Sequence, residues 1–115
     1  ASIKNSINDI TLSESVEKYI VQIVFASRNP SVVNLKEIKD YISFGASPRA
    51  SINLSLAGKA NAFMNNRDYV TPDDIKEVAQ DVLNHRIILN FEAEADGVSS
   101  SEIISQILEK VEVNS

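Results

Sequence analysis

Arg49 has the most telling position of any residue able to do chemistry. It follows Ser47-Pro48, a pair that predicts a helix start: a serine hydroxyl can accept from a free first-turn amide, and proline loses nothing there by lacking a donor. A cation at that end of a helix is disfavoured by about 0.3–1 kcal/mol unless an anion is near. Free amides and the positive dipole end suit a phosphate or carboxylate, which a planar guanidinium can grip through two hydrogen bonds. Single arginines also occur at helix starts without any ligand. Residue chemistry alone therefore leaves two readings of Arg49 open, an anion sensor and an ordinary surface arginine.

The other candidates are more easily read as structural. His85-Arg86 follows a strong helix and suits its last carbonyls, or forms a charged pair facing a neighbouring domain. The carboxylates of Asp73-Asp74 are committed to a helix start. Lys59 belongs to a solvated face, Arg67-Asp68 to a turn with a local ion pair, and Arg28 to a helix C-terminus, where a cation is ordinary. The sequence has no glycine-rich phosphate loop, no HExxH, no GxSxG and no C-x-x-C. A single histidine cannot supply the clustered ligands of a usual zinc site. No catalytic residue and no metal ligand is predicted. With no cysteine, disulfides and thiolate sites are excluded, which is compatible with a cytoplasmic location.

The elements that would hold Arg49 are helical. Val16, Tyr19, Ile20, Ile23 and Val24 recur three and four apart, predicting a helix from Ser13 to Ser27 with Ser13, rather than Thr11, as N-cap. Arg28-Asn29-Pro30 ends it. Leu35, Ile38, Tyr41 and Ile42 predict a two-turn helix over Asn34 to Ile42. The helix after Ser47-Pro48 runs to Asn65, with Ile52, Leu56, Ala60 and Phe63 in one line and Ala57, Gly58 and Met64 beside it. Its small residues predict a close crossing, with Gly58 either meeting a neighbouring backbone or left as unpacked surface. Thr71-Pro72-Asp73-Asp74 opens another helix with a capping box, and Ile75, Val78, Ala79, Val82 and Leu83 give its stripe. Ile87-Ile88-Leu89 is a strand or irregular chain; periodicity does not decide. Ser99 caps a last helix carrying Ile103, Ile104, Ile107, Leu108 and Val111.

Four striped helices and one short one, in 115 residues, predict an all-α bundle with a single core. Residues 1–12 read as a linker-like lead-in and 13–115 as the domain. No apolar run approaches the roughly 18–20 residues needed to cross a bilayer, and no signal peptide is visible. A net charge of −5 argues against a nucleic-acid partner, because phosphates need a basic face.

The segment Gly45-Ala46-Ser47-Pro48-Arg49-Ala50 resembles the C-terminal lid domain of MoxR-type AAA+ ATPases. Tyr19-Ile20 with Ala26-Ser27-Arg28, then Arg67 to Ile75, then Asp81 to Ile87 fall in the family's order. The resemblance covers residues 11–113; Asn84 stands where an arginine is often found. It implies a small helical bundle packed over nucleotide held by an α/β core, with Arg49 as the sensor 2 residue facing the phosphates and Ser47 and Pro48 beside it. His85 and Arg86 would serve contacts with the core or an adjacent subunit. It also implies ATP and Mg2+ in the intact parent and none on the isolated domain, since the Walker elements lie in the core. The parent would be a ring, with a hexamer as the expected size, acting as a chaperone-like ATPase on a client complex. The competing readings are a stand-alone helical protein-interaction module and, less compatible with the acidic charge, a winged or helix-turn-helix DNA-binding unit.

Overall fold

The computed structural model describes residues 9–30, 40–84 and 86–111. Its elements are α1 (Glu14–Arg28), β1 (Ile42–Phe44), α2 (Ala50–Met64), α3 (Pro72–Leu83), β2 (Ile88–Leu89), α4 (Phe91–Ala95) and α5 (Ser100–Lys110). The predicted all-α bundle is what forms, with one small two-stranded sheet added.

Caps set most of the helix starts. The Ser13 hydroxyl accepts from the Val16 amide, the Ser99 hydroxyl from Glu102 and the Asn90 side chain from Ala93. At α3 the capping box closes in both directions between Thr71 and Asp74, with Pro72 in the first turn. The stripes then bury as expected. Val16, Tyr19, Ile20, Ile23 and Val24 of α1 pack with Ile75, Ala79 and Leu83 of α3 and with Ile103, Ile104 and Ile107 of α5. α2 packs mainly along α3 and also on α1, while α5 packs on α3 and α1.

α2 corrects one expectation. The line Ile52, Leu56, Ala60, Phe63 is not its core face: Ala60 is half-buried and the other three are exposed, and Ala50, Leu54, Gly58 and Ala62 are buried instead. Apart from Leu54 the inner row is small, and α3 lies close against it. A Cβ on Gly58 would stand 2.5 Å from Ile75 Cδ1 and 3.3 Å from Val70 Cγ1, so the glycine accommodates side chains of its neighbour rather than a backbone.

The undecided stretch at 87–89 contains a strand. Ile42 pairs with Leu89 and Phe44 with Ile88, antiparallel, with a bulge between. So short a ladder depends on its ends. Asn90 donates its amide to the Tyr41 carbonyl (2.9 Å) and its side chain to the Asp40 carbonyl, and Tyr41 Oη donates to Asp96 (2.7 Å). Ile42 therefore ends no helix, since its backbone is used in this ladder. Asp40 and Tyr41, also in the predicted short helix, form a turn, and its remaining residues, 34–39, lie outside the described residues. Ahead of α1, Ile10 is buried in the core, and Thr11 donates to the Asp68 carbonyl (2.8 Å) and accepts from Val70 (2.9 Å).

Candidate functional site

The loop that presents Arg49 is fastened to the end of α1. Ser27 is fully buried; its hydroxyl donates to the Val24 carbonyl (2.6 Å) and accepts from the Ala46 amide (3.0 Å). Gly45 lies flat against the same turn. A Cβ there would come within 2.6 Å of the Arg28 Cα and 2.7 Å of its nitrogen, and closer still to the Ser27 carbonyl. Gly45 is thus required by close approach of two backbones, and Ala46 and Ala50 on either side of the loop are buried. Sequence reasoning missed Ser27 and Gly45 as positioning residues. The signal was a small polar residue on an otherwise apolar buried stripe, followed later by a glycine within a helix-start motif.

The helix start differs in detail from the expectation. Arg49 takes the N-cap place with helical dihedrals (φ −63°, ψ −22°) and makes no side-chain cap bond, while Pro48 and Arg49 form the turn that follows Ser47. The amides of Ala50, Ser51 and Ile52 donate to the carbonyls of Ser47, Pro48 and Arg49 at 2.9–3.1 Å, and Ser51 Oγ also donates to Pro48 (2.7 Å). Backbone carbonyls, not the Ser47 hydroxyl, close this turn, because Arg49 is already helical and brings them within reach. Those amides are not left free for an anion.

Arg49 is exposed, and the ion pairs among the described residues, Lys18–Glu14 and Arg67–Asp74, do not involve it. Beside it runs an apolar groove of about 390 Å³ between α1 and the start of α2, lined by Val21, Val24, Phe25, Arg28, Pro48 and Ser51. Val21 and Phe25 are each more than half exposed. One end of the lid therefore carries an apolar slot with an arginine lining it and the Arg49 backbone adjoining it. Arg86 is exposed and remote in sequence from this loop; His85 lies outside the described residues.

Arg67 also differs from expectation. It pairs not with Asp68 but with Asp74, through two hydrogen bonds of 2.5 Å. Asp74 is buried and accepts further from the Thr71 amide (2.7 Å), the Thr71 hydroxyl (3.1 Å) and Asn61 Nδ2 (2.8 Å), which also donates to Glu77 (2.6 Å). Burial by itself would raise the Asp74 pKa. The Arg67 guanidinium and the Thr71 and Asn61 donors outweigh it and hold the carboxyl well below its ordinary range. The outcome is a fixed corner between α2 and α3. Among the described residues no cluster of His, Asp or Glu could hold a metal ion.

Comparison with known proteins identifies the family. Residues 35–107 match the AAA lid domain family. The chain is 42% identical over 93 residues to the chaperone MoxR1 of Mycobacterium tuberculosis, covering 81% of this chain and 25% of that protein. It is 35% identical over 111 residues to the uncharacterized protein YeaC of Bacillus subtilis, covering 96% of this chain and 32% of that protein. The crystal structure of a candidate ATPase from Cytophaga hutchinsonii superposes with a TM-score of 0.92 at 59% identity, over 95% of this chain and 33% of that one. This chain thus spans about a quarter to a third of the length of these proteins. No described helix is long and apolar enough to cross a membrane. A matching family model, a superposable fold and MoxR relatives converge: the chain belongs to the AAA lid domain family, as a lid of the MoxR type.

Proposed function

We propose that this lid senses bound nucleotide for an ATPase core in the intact parent, with Arg49 as the sensor 2 arginine. The observation that carries this reading is an exposed arginine without a carboxylate partner among the described residues, held at a helix start by a loop packed without slack on α1. Fixing the loop restricts where the guanidinium can reach, so that it can answer one phosphate and not solvent in general. The lid residues fit such a ligand: Arg49 supplies bidentate donors, and the groove at Val21, Phe25 and Pro48 supplies apolar cover for a flat base. ATP with its Mg2+ would bring the anionic phosphates, and the metal would be held by the core rather than by this chain. Ser47 and Pro48 set the turn, and the Ser27 and Gly45 contacts tie the movement of Arg49 to the whole of α1.

On this reading Arg49 donates to the terminal phosphate when it is present and loses that contact after hydrolysis. Differential contact in the two states tilts the lid, and contacts that include His85 and Arg86 pass the tilt to the core and to neighbouring subunits of a ring. The parent is then a chaperone-like, cytoplasmic ATPase acting on a client complex.

The test is steady-state ATP hydrolysis by the full-length parent and its Arg49→Ala variant, with assembly followed in the same samples. The expected result is a fall of about 10- to 1000-fold in turnover with the assembly intact. An unchanged rate would leave the lid as a docking element, the interaction-module reading.

A further inference from the structure

α2 is apolar on two opposite sides. Its small inner row is buried, while Ile52, Leu56, Lys59 and Phe63, at successive spacings of four, three and four, lie on the reverse side. Ile52 is 60% exposed, Leu56 49% and Phe63 36%. That spacing is the seam by which a helix meets a partner, and a helix apolar on both sides is one that is covered on both. This row is separate from the Arg49 groove, since it turns away from α1 and none of its residues lines that groove. Lys59 falls within this row, is half-buried, and takes no part in the ion pairs among the described residues.

The charge at Lys59 decides what can cover it. Two α2 rows laid face to face would bring two lysines into one apolar seam, which disfavours a symmetric pairing. The chain carries a complementary surface elsewhere. At the junction of β2 and α4, Phe91 is 88% exposed and Ile88 55%, and Glu92 and Glu94 beside Phe91 are exposed and outside the ion pairs among the described residues. An exposed aromatic flanked by carboxylates matches an apolar row interrupted by an ammonium.

We propose that the outer row of α2 in one copy seats the Phe91 corner of a second copy, with Glu92 and Glu94 against Lys59. The aromatic ring is the anchor and the charges set the register. Each copy then offers one seat and one knob, so the contact is head to tail and propagates around a ring or along a filament. It does not depend on Arg49 and stands or falls without it.

The chain contains no cysteine, which makes a clean cross-linking test available. An Ala60→Cys variant, altered beside the row, is mixed with an Ala95→Cys variant, altered beside the corner, in a glutathione redox buffer. The mixed disulfide dimer is expected to exceed either self-dimer by about tenfold. Adding Phe91→Asp to the Ala95→Cys partner, or Lys59→Glu to the other, should remove that excess. Glu92→Lys with Glu94→Lys should restore it against Lys59→Glu. Phe91, Glu92, Glu94 and Ala95 are exposed and Lys59 and Ala60 are half-buried, and thermal melts verify that each variant is folded. Absence of a mixed dimer, a yield indifferent to Phe91→Asp, or dominance of the Ala60→Cys self-dimer would each overturn the proposal.

Discussion

The Ser27 hydroxyl bonds at once to the Val24 carbonyl of its own helix and to the Ala46 amide of the Arg49 loop, both out of water. Ser27→Ala leaves that amide without its partner and should cost about 1–3 kcal/mol, read as a lower urea midpoint. Gly45→Ala should be at least as harmful, because the new Cβ meets main-chain atoms of Ser27 and Arg28 that cannot rotate away. Both should also reduce parent turnover, because they position the Arg49 loop on α1. Asp74 makes a different prediction. Its pKa is lowered in the fold, so its contribution to stability is complete above the ordinary carboxylate range near 4 and is lost as pH falls through that range toward the folded value. Urea midpoints measured from pH 6 to pH 3 should fall, and Asp74→Asn should flatten the slope while lowering the midpoint at pH 6. An unaltered slope would mean that other carboxylates control acid sensitivity.

The helices anchored by caps and large aliphatic stripes were legible in the sequence because both signals are local: α1 at Ser13, α3 at Thr71 and α5 at Ser99. α2 was legible as a helix but not in its facing. Periodicity cannot tell an outer apolar row from an inner one, and the small inner row Ala50, Leu54, Gly58, Ala62 is meaningful only once α3 lies against it. The β1–β2 ladder pairs residues more than forty positions apart, which no window of sequence contains. Arg67 was given its sequence neighbour Asp68, whereas the fold turns Asp74 into reach and buries it. For the α2–α3 crossing, Gly58→Ala gains helix propensity but places a Cβ 2.5 Å from Ile75 Cδ1. A net loss of about 1 kcal/mol is expected. Ile75→Val removes that methyl, so the double variant should be more stable than the two single effects added together predict. Strict additivity would show that the two residues do not compete for space.

Across the whole molecule, the lid has one end that presents Arg49 and a groove, a rigid corner at Arg67–Asp74, and an outer α2 row. The motif around Arg49 was legible because several constraints fall on consecutive residues. Its anchorage was not, since Ser27 and Gly45 meet only through the fold. The central claim is that Arg49 distinguishes nucleotides by their third phosphate. The direct measurement is the affinity of the full-length parent for a non-hydrolysable ATP analogue and for ADP, before and after Arg49→Ala. A charge-assisted contact to the terminal phosphate contributes about 1.5–3 kcal/mol, so the preference for the analogue over ADP should shrink by about 10- to 100-fold in the variant, with ADP affinity little altered. If both affinities fall together, or neither changes, Arg49 does not read the third phosphate and the sensing account is wrong.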